Sequence, residues 1–553
     1  MSELEDKADA VYIPFRALGH NRGMYFFMAY GTGQLVSLTP SKFQKQYLLS
    51  LAPLQWWETH YAGRQGPDWV AAANDLMRDC EREGVFDPSR LRGRGCWREV
   101  ASDGTWRIVT HLGDRLIVDN SEVPVQQYRQ SSAIYEQAIP MKGPASDELT
   151  KDECRHIADV FKLVRWDSPG YALLAAGVTV LSPVCGAMTW RPHAWITGGR
   201  GTGKTWIVSS IMRPLMGGMV HHVQGDTTEA GVRQMLRADA IPVIFDEAEG
   251  NEKKDQQRIQ SVLSLMRQAS SESGAKVVKG SADGTAMSYD IRSAFILASI
   301  GVGIKQGADA TRITVLPLRS PDQDTGIDRQ AHWEQLKEKA HQITPDMGRR
   351  LVARTIRLLP VVLENATTFA SVMAERTGSQ RLGDQYGAII AGAYSLISER
   401  YASHDAAEAF VNQYDWSHLS DTADVKDEDN CLQAILQRQV MVDGNMSKRT
   451  VTVSELVAIV CGHEPANDNI DKGTAEDHLR RFGMRVYYPC LMVANRSEWI
   501  ASALRDTPFA NSWPTVLMRL PYAEKVNSSV RFSPHHVSRA VAIDLEKMAT
   551  ADL

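Results

Sequence analysis

The sequence lacks a C-x-x-C pair. Its seven cysteines, at 80, 96, 154, 185, 431, 461 and 490, are spaced too widely to signal a zinc ribbon or a disulfide framework. Their scatter fits a reducing cytosol. Charge of one sign is also lacking. The formal net charge of -5 excludes a chain that is basic throughout, but leaves room for a local basic groove. Long apolar runs are scarce. The most apolar stretch, Tyr171 to Met188, contains Gly177, Ser182, Pro183 and Gly186. It reads as a buried core helix followed by a turn, not as a membrane span. The opening MSELEDKADA is polar and acidic, unlike a signal peptide. Long repeats and low-complexity tracts are absent. A cytoplasmic protein with no membrane partner is expected.

What is present is a chain of 553 residues, 43% hydrophobic and 23% charged. At about 100–200 residues per domain this implies several ordinary cores. Residues 1–145 read as an N-terminal mixed α/β domain. Strand patterns at Tyr25–Tyr30 and Gln34–Leu38 flank a Gly-Thr-Gly turn, and Lys42–Leu51 reads as helical. Cys96–Val100, Trp106–His111 and Arg115–Val118 are separated by turn signals. Six arginines against three acids in residues 90–115, with Trp97 and Trp106 among them, suit nucleic-acid contact. They equally suit a small sheet with core tryptophans and solvated arginines. A polar stretch from Lys142 reads as a linker. Residues 146–325 alternate apolar strands and helices, the pattern of a parallel α/β core. Residues 326–420 read as a helical lid. The acidic run Asp421–Asp429 reads as an exposed linker. Residues 430–553 show two helices, the second bearing Arg480 and Arg481, then a strand pattern at Tyr487–Val493. That order fits a winged-helix-like domain, and a packing domain with one basic face fits as well.

The sharpest motif is Gly198-Gly199-Arg200-Gly201-Thr202-Gly203-Lys204-Thr205. It matches G-x-x-x-x-G-K-S/T between an apolar strand and an apolar helix. Glycines let backbone N–H groups cradle phosphate oxygens. Lys204 is placed to neutralise the β- and γ-phosphates of ATP, and the Thr205 hydroxyl to ligate Mg²⁺. Ile241–Glu247 is an apolar strand ending in two acids. Asp246 suits the metal and Glu247 suits polarising a water, with Glu249 as an alternative base. Ser293–Ser299 is another apolar strand, whose final serine can hydrogen-bond a γ-phosphate. Arg312 follows, suited to a neighbouring subunit's γ-phosphate or to a local ion pair with Asp309, with Arg319 as the second choice. Between these strands, Lys276 and Lys279 flank an Asp-Gly turn that reads as a hairpin. Arg381 opens a helix and suits a lid sensor or a plain capped surface helix.

Gly198–Thr205, Asp246-Glu247, the Lys279 hairpin, Ser299 and Arg312 occur in an order that resembles superfamily 3-like AAA+ replicative helicases of phages, plasmids and mobile elements. The resemblance covers about residues 150–320. The flanks, through Pro14-Phe-Arg-Ala-Leu-Gly-His-Asn-Arg22-Gly and Leu51-Ala-Pro-Leu-Gln-Trp-Trp57-Glu, look similar to those of phage and prophage helicases. It implies an AAA+ P-loop core, ATP and Mg²⁺ as cofactors, self-association into a hexameric ring, and single-stranded and forked DNA as partners beside other replication proteins. Lys204, Asp246, Glu247, Ser299 and Arg312 would carry hydrolysis, while Lys276 and Lys279 would grip DNA. Ser299 departs from the asparagine common at the sensor position. Rival expectations are an ATPase that remodels nucleoprotein complexes or loads a helicase, and an ATP-gated origin-binding protein.

Overall fold

A computed structural model describes residues 13–100, 104–128, 131–246, 248, 253–270, 290–304, 307–320, 328–416, 427–443, 448–462, 470–505 and 507–551. The chain divides into two compact units. One comprises residues up to Gly303 plus Thr311–Trp416; the other comprises Ile304–Ala310 and residues from Ser417 onward.

The first unit opens with an antiparallel sheet of β1 (Phe15–Asn21), β2 (Met24–Ala29) and β3 (Gln34–Leu38). Its apolar face packs Phe15, Phe27 and Trp57 against helix α1 (Trp69–Glu83). The helix expected over Lys42–Leu51 shortens to a single turn, Lys45–Leu48. A four-stranded meander follows: β4 (Gly95–Val100), β5 (Trp106–His111), β6 (Arg115–Val118) and β7 (Ser121–Pro124). Its arginines are engaged within the protein. Arg94 pairs with Asp239 at 2.6 Å, Arg115 with Asp114 and Glu122, and Arg107 with Asp119. Trp97 is buried beneath Arg92. Of the two tryptophans expected in a core, Trp97 is buried but Trp106 is 39% exposed, and the arginines are paired and not simply solvated. The polar stretch from Lys142 is strapped down rather than free. Arg350 pairs with Asp147 and Arg357 with Glu148, each at 2.7 Å.

The central sheet is parallel and five-stranded. Its strands are β8 (His193–Thr197), β9 (His221–Gln224), β10 (Val243–Asp246), β11 (Phe295–Ser299) and β12 (Thr314–Pro317), in spatial order β9-β10-β11-β8-β12. Strands β8, β10 and β11 are almost wholly buried and carry near-continuous apolar sequence, as a sheet covered on both faces requires. The expected α/β class, a parallel sheet flanked by helices, is what the structure has. Helix α2 (Pro169–Leu181) holds the apolar stretch. All but one of residues 170–188 are buried, so it is a core helix. Gly177 lets a neighbouring helix, Gln380–Tyr394, come close; a Cβ there would sit 2.0 Å from the Ile389 carbonyl oxygen. Beyond the sheet, helices α3 (Arg329–His341) and α4 (Pro345–Thr377) begin the helical region.

The second unit carries helices α5 (Asp427–Leu436), α6 (Val453–Cys461) and α7 (Lys472–Arg481). The acids at 427–429 thus open a helix, and the rest of that acidic run lies outside the described residues. The strand expected at Tyr487–Val493 is two strands, β13 (Met484–Tyr487) and β14 (Cys490–Ala494), paired as a hairpin. Proline at 489 occupies the turn. Gln439–Asp443 and Lys448–Thr452 form a further antiparallel pair, and after the hairpin come β15 (Ala523–Lys525), β16 (Val530–Ser533), β17 (His536–Ser538) and β18 (Ala540–Asp544), with β14 pairing β18.

All seven cysteines are free thiols. Burial pushes Cys80 and Cys185 up to about 11 and Cys96 up to about 12, so these groups stay protonated and unreactive.

Candidate nucleotide site

Strand β8 ends at Thr197, and the glycine loop leads into a helix that starts at Lys204. Gly201 and Gly203 adopt φ of 79° and 87°, a region that side-chain-bearing residues rarely enter. Those two turns aim the loop's amides and the first helical N–H groups at one place, a ready anion cradle. Lys204 Nζ donates to the carbonyl oxygens of Gly198 and Gly199 at 2.6 and 3.0 Å, which holds its ammonium over the loop.

The adjacent strands bring the acid to the same place. Because β8 and β10 are parallel and flank β11, their carboxyl ends lie side by side. The Thr205 hydroxyl donates to Asp246 Oδ1 at 3.2 Å. Two hard oxygens this close fit one Mg²⁺. Neighbouring ligands on an octahedral ion with bonds near 2.1 Å lie about 3 Å apart. Mg²⁺ takes few protein ligands beside water and phosphate. Accordingly, among the described residues no group of three or more His, Cys, Asp and Glu side chains stands together. Glu247, Glu249, Lys276 and Lys279 lie outside the described residues.

Ser299 ends β11 opposite Thr197. Its hydroxyl accepts from Trp195 Nε1 at 2.7 Å and donates to the Gly301 carbonyl at 2.6 Å. Its single proton is therefore directed at the chain itself, and bonding a phosphate requires that rotor to turn. Arg312 is not gathered at this site. It precedes β12, five residues before Pro317, which lies opposite Thr197. Strand β12 starts only at Thr314, so Arg312 lies before it, at the end of the strand opposite to Pro317 and Thr197. There it faces His193, which burial pushes down to about 3. Arg319 lies at the near edge, where its guanidinium donates to the Asp167 carbonyl at 3.0 Å. Arg381 is exposed in the first turn of Gln380–Tyr394. One turn on, Gln385 is 2.9 Å from Thr314 Oγ1 at the start of β12, again away from the phosphate loop.

One element of the site carries no motif. Beside the phosphate loop opens a cleft of about 470 Å³ lined by Gly201, Gly203, Trp206, Trp333, Arg165, Arg319 and Arg329 among others. The two indoles meet edge to face at 4.6 Å. Its size lies in the usual range for small-molecule sites, about 300–1,000 Å³. Trp206 is visible beside Lys204-Thr205 in the sequence. Trp333 is not, because only the fold brings α3 to the loop.

No protein-family profile matches the chain, and no curated protein matches it. Among solved structures it is similar to the active helicase Cch of SCCmec type IV, at 12% identity over 98% of this chain and 95% of that one, with a TM-score of 0.46. It is also similar to the C-terminal region of NrS-1, residues 305–718, at 9% identity over 96% of each chain, with a TM-score of 0.32. At such scores these likenesses assign neither activity nor residues.

Proposed function

We propose that the protein is an ATP-dependent DNA helicase, an AAA+ motor that forms a ring on single-stranded DNA and serves phage or mobile-element replication. The observation that carries the nucleotide reading is the meeting of Thr205 and Asp246 at 3.2 Å beside a glycine loop with two left-handed turns. The order of motifs carries the helicase reading.

In this reading the loop amides and Lys204 bind the β- and γ-phosphates, and Thr205 and Asp246 hold Mg²⁺. Mg²⁺ held there would neutralise phosphate charge. The cleft beside the loop takes the base against Trp206 and Trp333, with Arg165, Arg319 and Arg329 at its polar margin. Glu247 orients and deprotonates the attacking water. Ser299 senses the γ-phosphate by turning its hydroxyl. Arg312 acts on the neighbouring subunit, consistent with its place at the edge far from its own loop. Lys276 and Lys279 couple hydrolysis to movement of the DNA strand.

Equilibrium binding of ATP tests the metal assignment. With Mg²⁺ present, Asp246→Asn should lower affinity toward the value that wild type shows in excess chelator. It should leave metal-free binding unchanged. An Asp246→Asn protein with full Mg²⁺-dependent affinity and turnover would place the metal elsewhere.

A further inference from the structure

The second unit carries a charged surface that the nucleotide site does not explain. Residues 481–497 and 525–543 together contain six Lys and Arg residues and no Asp or Glu. They are Arg481, Arg485, Arg496, Lys525, Arg531 and Arg539. All are exposed except Arg485, which is half-buried. The fold gathers Arg485, Arg496, Arg531 and Arg539 around the β16–β17 hairpin. Arg485 donates to the Arg531 carbonyl at 2.8 Å. The Arg496 amide donates to Ser538 Oγ at 3.3 Å. The neighbouring Asn495 amide donates to the Arg539 carbonyl at 2.8 Å. The His536 ring lies 2.7 Å from the Arg496 carbonyl.

Acids nearby are few and mostly occupied. Glu476 and Asp477 on α7 pair with Arg480. Glu498 and Glu524 are exposed at the margins. Among the described residues none of the six cations has a carboxylate partner within 4 Å. A cluster of like charges held on paired strands repels itself, so its stable occupant is a polyanion.

The aromatic rings of this region decide which polyanion. Binding of single strands needs open rings on which bases stack. Here Tyr487 lies beneath Arg485 at 4.6 Å, Phe482 stacks on Trp499 at 4.3 Å, and the Tyr488 hydroxyl donates to Glu546. Tyr487 and Tyr488 stay 46% and 60% exposed, but Arg485 covers one face of Tyr487, so cations for phosphates outnumber open rings for bases.

We propose that this face of the second unit binds the phosphate backbone of double-stranded DNA without reading its sequence. The proposal stands on this surface and is independent of the nucleotide site.

The test uses the full chain without nucleotide and two blunt 30-base-pair duplexes of unrelated sequence, titrated across a range of salt concentrations. Wild type should bind both alike. The triple variant Arg496→Ala, Arg531→Ala, Arg539→Ala should bind at least about tenfold more weakly near 100 mM salt. Its log–log salt slope should be shallower by about one for each residue removed. The triple Lys variant should keep most of the binding, because a phosphate accepts either cation. The pair Arg78→Ala, Arg82→Ala, exposed on α1, should change nothing. Basal ATP hydrolysis should be unaltered in every variant, which also reports folding. Unchanged affinity and slope in the triple Ala variant would overturn the proposal. So would a loss in the triple Ala variant that is as large on a single strand of the same length as on the duplex.

Discussion

Thr205 and Asp246 stand 41 positions apart in the chain and 3.2 Å apart in space. A hydroxyl and a carboxylate at that separation have an ordinary hydrogen bond between them. The same geometry gives adjacent ligand positions on a small hard cation. Trp333 is the residue whose role is least visible beforehand. It is 37% exposed although large and aromatic, and it closes the cleft beside Gly201 and Gly203. Stacking of a base on an aromatic ring is worth about 1–3 kcal/mol. Trp333→Ala should therefore weaken ATP binding between roughly fivefold and a hundredfold. Binding of inorganic tripolyphosphate, which has no base, should not move. Equal losses for both ligands would mean that Trp333 supports the loop and does not touch a base.

Local signals at the scale of elements were legible where short-range pattern and packing agree. Strands β5 and β6 fall where alternation and turn dipeptides put them, because hairpin pairing is a local matter. The single turn at Lys45–Leu48 shows the opposite case. Its helical pattern is overruled by the sheet and the tryptophan cluster it packs against. The arginines of residues 90–115 look like a surface patch in sequence because their partners are remote. Asp239 lies 145 positions from Arg94. Nothing in the spacing announces that pair. Of the proposed site, the glycine loop shows in the sequence because left-handed turns such as those at Gly201 and Gly203 favour glycine, and Asp246 shows as the acid that ends an apolar strand. The cleft beside Gly201 and Gly203 does not show there, since any apolar helix can supply its wall. Close approach of helices is likewise unreadable locally, and Gly177 is the sharpest example. Gly177→Ala places a Cβ 2.0 Å from a backbone oxygen, so two helices must part. A cost of about 1–3 kcal/mol is expected, seen as a lower thermal midpoint of the full chain. An unchanged midpoint would mean that the helices separate freely.

Charge distribution belongs to the whole molecule. Residues 191–319 hold 16 Lys and Arg against 12 Asp and Glu, a local +4, so the rest of the chain carries -5 - 4 = -9. Within that acidic remainder, the acid-free segments of the second unit stand out more sharply. The proposed ring makes its own demand. Arg312 precedes β12, at the end opposite to its own phosphate loop, so a role in hydrolysis would need a second copy of the chain. Arg312→Ala and Glu247→Gln proteins, each slow alone, should recover part of the wild-type ATPase rate when mixed. Their intact groups then meet at shared interfaces. No recovery at any mixing ratio would count against a trans arginine.

The central claim is that this site hydrolyses ATP and that DNA sets the rate. Steady-state ATP turnover, measured with and without single-stranded DNA and alongside unwinding of a forked duplex, tests it most directly. The account predicts turnover that DNA stimulates severalfold, unwinding that requires ATP, and loss of both in Lys204→Ala. Turnover indifferent to DNA, together with a forked duplex left intact, would contradict it.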